Sequence, residues 1–472
     1  MTWPAMCLWV LLVIGTLSKG PLMLYIAAVA LSFGSLQMIP GDYTGSTNIL
    51  PASIAAICLS LKILLRQSPV AILNAALDYR RLGIFTAYFV WSVFSAYVMP
   101  RLFAGVDVIP LAVEVPWPVP LQPSSANLTQ PAYLAISLLS AVAGYFAAGN
   151  PAFIRHWLQA LIVAGLTLVV TGLIDLTFST AGLNDLLIPF RNTTYTLLAT
   201  AEVLGSKRIV GLMPEASQYG STCVYVAASL CFLRPCYDST WARVLVPLTI
   251  CALFLFALMS TSSAAYVGLG AFGLLYPINM IRRALSKNES VRHGLGVEAG
   301  ILAAGAISVI VVMALTPAIL NSVNDALSSI LFTKASSSSF EERNLWTQTG
   351  LSAYMKTYGF GVGFGSARTS NWFVAVLSNS GTIGSLLLGS FILRSLLLSK
   401  PHTDWMNTEF ATGLKYSFVP NFVLAALIGT TPDVPNPFAL GMLARGTDND
   451  PVIVDIVSSE RVVLPLGHSI KD

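Results

Sequence analysis

Apolar runs long enough to cross a bilayer recur along almost the whole chain, and they leave little choice of fold. They lie near residues 6–18, 21–38, 49–65, 82–103, 131–148, 157–176, 216–233, 244–260, 264–281, 297–315, 372–398 and 414–429. A hydrocarbon core of ~30 Å calls for roughly 17–25 such residues in a helix. Backbone N–H and C=O groups find no water there, so each run must satisfy them internally, as a helix. With 55% hydrophobic and only 10% charged residues, the chain lacks the polar surface that a soluble fold of this size needs. The expectation is an all-α integral membrane protein of about twelve transmembrane helices. The first run has no basic segment before it and a second apolar run directly after it, so it reads as a retained helix.

The chain reads as one polytopic unit over residues 1–472. Two long polar segments, 178–215 and 316–371, and a polar tail, 444–472, interrupt the apolar pattern. The piece 435–443 is too short for a span and reads as re-entrant or as a broken last helix, which leaves the side of the tail open. No internal repeat is visible, which counts against transporter folds built from duplicated halves.

The net charge of +4 matters less than its placement. Assigning alternate loops to opposite sides puts Lys19, Lys62, Arg66, Arg80, Arg81, Arg155, Arg234, Arg243, Arg282, Arg283, Lys287, Arg292, Arg394, Lys400 and Lys415 on one side, mostly in short loops at helix ends. Arg101, Arg191, Lys207, Arg208, Lys334, Arg343, Lys356 and Arg368 fall on the other, mostly in the two long segments. Excess Lys and Arg in short loops marks the cytoplasmic side, so 178–215 and 316–371 are expected outside.

All six cysteines fall in the spans or in the turn after Cys231, so no exterior disulfide framework is available. His156, His293, His402 and His468 lie in expected cytoplasmic loops or the tail. Neither long outer segment therefore holds a histidine for metal or acid–base work, and no metal site or cofactor is expected.

Chemistry-bearing residues collect in two outer clusters. The first, Lys207-Arg208-Ile209-Val210-Gly211-Leu212-Met213-Pro214-Glu215-Ala216-Ser217, precedes the seventh run. Pro214 and the residues after it make a helix start, where a carboxylate at Glu215 is favoured by the helix dipole. Glu215 either serves that helix start or works on a substrate. Arg208 either anchors lipid headgroups or binds an anion. The second cluster begins at Glu342-Arg343. Leu345, Trp346, Thr349 and Ala353 then fit a short amphipathic helix along the membrane. Beyond it comes the glycine ladder Gly359, Gly361, Gly363 and Gly365, then Arg368 and Asn371. The ladder has the freedom to turn backbone N–H groups toward an anion. It is not a nucleotide-binding loop, because no Lys-Ser/Thr pair follows it. Two arginines at one membrane face suit a phosphate or diphosphate, which a planar guanidinium holds in bidentate fashion.

Three segments resemble the O-antigen ligase and Wzy-type polysaccharide polymerase superfamily. Arg208 to Ser217 is similar to the arginine–glycine–(glutamate)-proline-serine stretch of exopolysaccharide polymerases. Ser260-Thr261-Ser262-Ser263-Ala264 resembles the serine-rich turn opening the following span. Arg343 to Gly365, continued by Asn371-Trp372-Phe373 and Ser380-Gly381-Thr382-Ile383-Gly384, resembles the signature closing the large loop. The resemblance covers the C-terminal 60% or so of the chain. It implies a GT-C-like bundle with a large late periplasmic loop in the bacterial inner membrane, and a metal-independent glycosyltransferase acting at the periplasmic face. The donor would be a glycan on undecaprenyl diphosphate and the acceptor a hydroxyl of the next lipid-linked unit. Membrane lipids, a chain-length regulator and a flippase would be its partners, with no nucleic acid.

By the same resemblance Arg208, Arg343 and Glu215 would be catalytic. Lys207, Glu342, Gly361, Gly363, Gly365, Arg368 and Asn371 would bind substrate. Two departures bear on the reaction. Ligases of the family carry a histidine near the end of the large loop, where this chain has Arg368-Thr369-Ser370-Asn371, which favours polymerase over ligase. The serine-rich turn often continues with Arg, where Ala264 stands here. Transfer of a finished glycan to lipid A core or protein, and a secondary transporter or flippase, are the alternatives.

Overall fold

A computed structural model describes residues 1–44, 48–111, 115, 117–193, 197, 202–203, 206–300, 338–398 and 405–446. Over these the chain is mostly helical. The first helices are α1 (Trp3–Leu17), α2 (Leu22–Ala30), the single turn α3 (Gly41–Thr44), α4 (Pro51–Leu64) and α5 (Pro69–Leu77). There follow α6 (Gly83–Leu102), α7 (Ala126–Ala147), α8 (Pro151–Thr180), α9 (Ala216–Phe232), α10 (Thr240–Met259), α11 (Ser263–Ala284) and the turn α12 (Glu289–Arg292). The last are α13 (Ser338–Lys356), α14 (Trp372–Leu397), α15 (Trp405–Ile428) and α16 (Pro437–Arg445). Two small antiparallel pairs, β1 (Asp107–Val108) with β2 (Val119–Pro120) and β3 (Glu202–Val203) with β4 (Ser206–Lys207), lie in the loops.

Local chemistry sets many of these starts. Ser68 accepts from Ala71 N before Pro69, and Asn150 accepts from Ala152 N and Phe153 N before Pro151. Each cap satisfies donors that the first helical turn leaves unpaired, and proline at the first position loses nothing.

Among the described residues seven helices are long and apolar enough to cross a membrane: α6, α7, α8, α10, α11, α14 and α15. The pair α4–α5, bent by 117°, raises the number to eight if it counts as one broken span. The chain is thus a helical, multi-pass membrane protein by its apolar helices, and among the described residues fewer of them are full-length than the twelve expected. The differences have physical causes. The run 21–38 is helical only to Ala30, because Ser35 leaves the helix to donate to Leu212 O and accept from Asn192 N, at 3.0 Å each. The run 49–65 stops at Leu64 and turns. The run 216–233 forms α9, 17 residues long with thirteen of them buried, a core helix packed by α8, α10, α11 and α15. The run 297–315 and the segment 316–337 lie almost wholly outside the described residues, as do Lys334, Lys400 and the tail from 447.

The loops gather at the two ends of the bundle. One end holds 31–44 with 48–50, 103–111 with 117–125, 181–193 with 206–215, and 260–262, 357–371 and 429–436, tied by Gln37 N to Asn192 Oδ1 (2.7 Å), Asn127 Nδ2 to Phe364 O (3.0 Å) and Thr369 N to Thr430 O (3.3 Å). The other end collects the basic residues of the short loops. There Lys62 closes the α1–α2 turn by donating to Gly15 O, Ser18 Oγ and Gly20 O. Arg282 forks onto Glu409 at 2.9 and 2.6 Å, and Arg283 and Arg234 share Glu298.

The piece 435–443, expected as re-entrant or as a broken last helix, forms α16, nine residues that cross α7 at backbone distance. A Cβ on Gly441 would lie 1.9 Å from Ala141 O, and one on Gly144 would lie 2.2 Å from Phe438 O. Small residues that let helix backbones touch are the usual currency of packing in membranes.

Candidate functional site

The polar segment before α9 is built around a buried carboxylate. Asp175, 1% exposed near the end of α8, accepts from Arg191 Nη2 (2.8 Å), Lys207 Nζ (3.0 Å), Val210 N (2.9 Å) and Gly211 N (3.1 Å). Arg191 also donates to Gly211 O at 2.9 Å. A buried charge is tolerable when it is paired and its lone pairs are filled, and here two cations and two amides fill them. The stretch 207–211 is thereby pinned on both sides of Arg208. Lys207 is committed to Asp175.

Arg208, half-buried, reaches the other way, into the turn between α10 and α11. Its Nε donates to Ser260 O (3.1 Å) and Thr261 Oγ1 (3.0 Å), and its Nη2 to Thr261 O (3.2 Å). Thr261 holds a left-handed backbone, φ 48°, which turns its carbonyl toward the guanidinium. Nη1 makes no hydrogen bond to any described residue. Burial draws the Arg208 pKa down, opposed by the nearby Glu215 and Tyr266. The guanidinium is therefore oriented by three bonds to neutral acceptors while one nitrogen and the full charge stay available.

Glu215 is the residue just before α9, in an extended conformation, and its side chain does not cap the helix. Its carboxylate instead accepts from Ser217 Oγ. It stands near Arg208 without forming an ion pair with it. The 207–217 stretch and the 260–263 turn, separate in the chain, thus form one cluster.

The second sequence cluster folds differently. Residues 338–356 form a helix, α13, packed on α14 and β1, with Thr349 and Ala353 buried and Leu345 exposed. Glu342 and Arg343 are exposed on its first turns. No hydrogen bond or ion pair among the described residues joins Arg343 to Glu342, Arg208 or Glu215. Arg368 lies with its guanidinium carbon 5.4 Å from the centre of the Trp346 ring, and Asn371 Oδ1 caps α14 by accepting from Phe373 N (3.0 Å) and Val374 N (3.3 Å).

The glycine ladder is a packing device. Gly359, Gly361, Gly363 and Gly365 all have positive φ, and the ladder wedges against a break in α14 at Gly381 (φ 67°). Its amides are turned inward: Gly361 N to Thr357 Oγ1, Val362 N to Ser378 O, and Gly365 N and Ala367 N both to Asn379 Oδ1, all between 2.7 and 3.1 Å. Asn379, fully buried, returns hydrogen bonds to Ala367 O and Ala375 O. A Cβ on Gly381 would lie 2.2 Å from Phe360 O. The N–H groups of Gly361 and Gly365 already have protein acceptors.

Asn379 carries this architecture without standing out in the sequence, whereas Thr261 lies in the serine-rich turn and Asp175 shows only as an acid inside an apolar run. Among the described residues no group of three or more His, Cys, Asp or Glu side chains is placed to hold a metal ion. The chain matches no family model and no curated protein. The likeness to the polymerase superfamily therefore stands on the motif residues themselves.

Proposed function

We propose that the chain is a polysaccharide polymerase, a glycosyltransferase that lengthens a glycan carried on a polyprenyl diphosphate at the outer face of the bacterial inner membrane. The observation that carries this reading is the half-buried Arg208 guanidinium, aimed by the Ser260–Thr261 turn, with Nη1 bonded to none of the described residues and Glu215 beside it. In the proposed step the acceptor hydroxyl oxygen bonds to the anomeric carbon of the donor glycan. The bond from that carbon to the diphosphate oxygen breaks, its electron pair leaves with the lipid diphosphate, and the hydroxyl proton passes to the Glu215 carboxylate. Negative charge grows on the leaving group, so a fixed cation there favours the transition state over the ground state. Arg343, exposed on α13, would reach the diphosphate from the solvent side.

A strain lacking the chain is expected to accumulate single repeat units on lipid, exposed on the outer leaflet, with no polymer. Long unattached polymer in that strain would mean a ligase. Single units trapped on the inner leaflet would mean a flippase.

A further inference from the structure

Beside the loop joining α15 to α16, and apart from the Arg208 cluster, lies a polar chamber of about 410 Å³ between α4, α7 and the start of α16. Asn48, Ser53, Gln130, Tyr133, Ser137 and Asp433 line it. An apolar chamber of about 240 Å³ adjoins it, sharing Ala52, Ala56, Ser140 and Pro437, with Leu24, Leu59, Trp157, Leu161 and Phe438 among its walls.

Three observations say that this space is built for an occupant. First, several of its polar side chains have no protein partner among the described residues. Serine and threonine in these helices commonly return the hydroxyl to the carbonyl four residues back, as Thr167, Ser229 and Thr249 do. Ser53, Gln130, Ser137 and Ser140 make no hydrogen bond to another described residue through their side chains. The Ser60 hydroxyl in the apolar chamber, on a residue 1% exposed, also has no partner. Buried polar groups in native proteins are nearly always paired, by protein, water or ligand. Second, the loop 429–436 at this end of the bundle brings Asp433 to the wall of the polar chamber and Asn436 to the wall of the apolar one. Third, the charge is one-sided. Asp433 is the sole charged residue on the polar wall, and no Lys or Arg lines either chamber. The Asp433 side chain opens onto the space, yet the protein packed around it pushes its pKa up from the ordinary carboxylate value, with the Thr431 hydroxyl opposing.

A phosphate would find no counter-charge here, and leaving it unmatched is costly. Hydroxyls suit the wall, because serine, amide and carboxylate groups between them offer both donors and acceptors. We propose that the paired chambers bind one amphiphile, with an uncharged, hydroxyl-rich head in the polar chamber and its hydrocarbon in the apolar one. The claim is one of binding, and it holds or fails apart from the polymerase proposal.

The test uses the full chain in phosphatidylcholine nanodiscs with a diazirine-tagged dodecyl maltoside, read by mass spectrometry of the crosslinked peptides. Crosslinks are expected at 53–56 and 137–140, displaced at least tenfold better by dodecyl maltoside than by dodecyl phosphate or dodecyltrimethylammonium. Ser137→Phe, which fills the head chamber, is expected to cut them at least tenfold. The near-isosteric Asp433→Asn is expected to weaken them severalfold with the protein still eluting as a single species. Labelling spread over outward-facing residues such as Leu248 and Leu274 and indifferent to both variants would overturn the proposal. So would preferred displacement by either charged probe.

Discussion

Arg208→Ala is expected to lower polymer formation by about 10²–10³-fold, the range seen when a preorganised charge-stabilising donor is removed from a transition state. The protein should still insert and purify, because the partners lost are two carbonyls and a hydroxyl at a turn, which water can reach once the half-buried side chain is gone. Arg208→Lys is expected to fall nearly as far. An ammonium carries the charge but lacks the planar fork that holds Ser260 O, Thr261 Oγ1 and Thr261 O while presenting another nitrogen outward. Polymer length profiles and lipid-linked single units, compared at equal protein level, measure the loss. Normal polymer in both variants would remove Arg208 from the chemistry.

Asp175→Ala is the second large effect, and it acts through stability. The substitution strands Arg191 and Lys207 without their counter-ion and leaves Val210 N and Gly211 N without an acceptor. Removing one partner of a buried charged group typically costs about 3–5 kcal/mol, a large share of the stability of any domain. Asp175→Asn keeps one acceptor oxygen and should lose less. Thermal unfolding of the purified protein in detergent reads the difference, with the wild type highest, Asn between and Ala lowest. Equal midpoints would mean that the 207–211 stretch is held by something other than Asp175. Because Asp175 also frames Arg208, the Asn variant should lose activity beyond what its remaining folded fraction explains.

How much was legible beforehand depended on whether the deciding contact was local. Apolar runs such as 157–176 announce helices because length and composition suffice, although the helix found there extends from Pro151 to Thr180, its start set by the Asn150 cap. The early end of α2 was not legible, since it is set by Ser35 pairing with Leu212 and Asn192, far along the chain. The glycine ladder shows the same limit. Positive φ at four glycines serves an anion nest or a tight wedge equally well, and the choice rests on Asn379 and Ser378 taking up the amides. The 208–217 and 260–264 segments were read as separate motifs, and their meeting through the capture of Arg208 by the Thr261 carbonyl depends on a left-handed residue that sequence does not reveal. Asn371 was read as a substrate contact and is found capping α14.

The most direct test of the polymerase proposal is reconstitution of the purified chain in vesicles with polyprenyl diphosphate-linked repeat units as the sole added substrate, in the presence of EDTA and without nucleotide. The account predicts a ladder of glycans differing by one repeat, with polyprenyl diphosphate released in proportion to the bonds formed, and no ladder from Arg208→Ala. Repeat units that stay single under these conditions, or merely change leaflet, would contradict it.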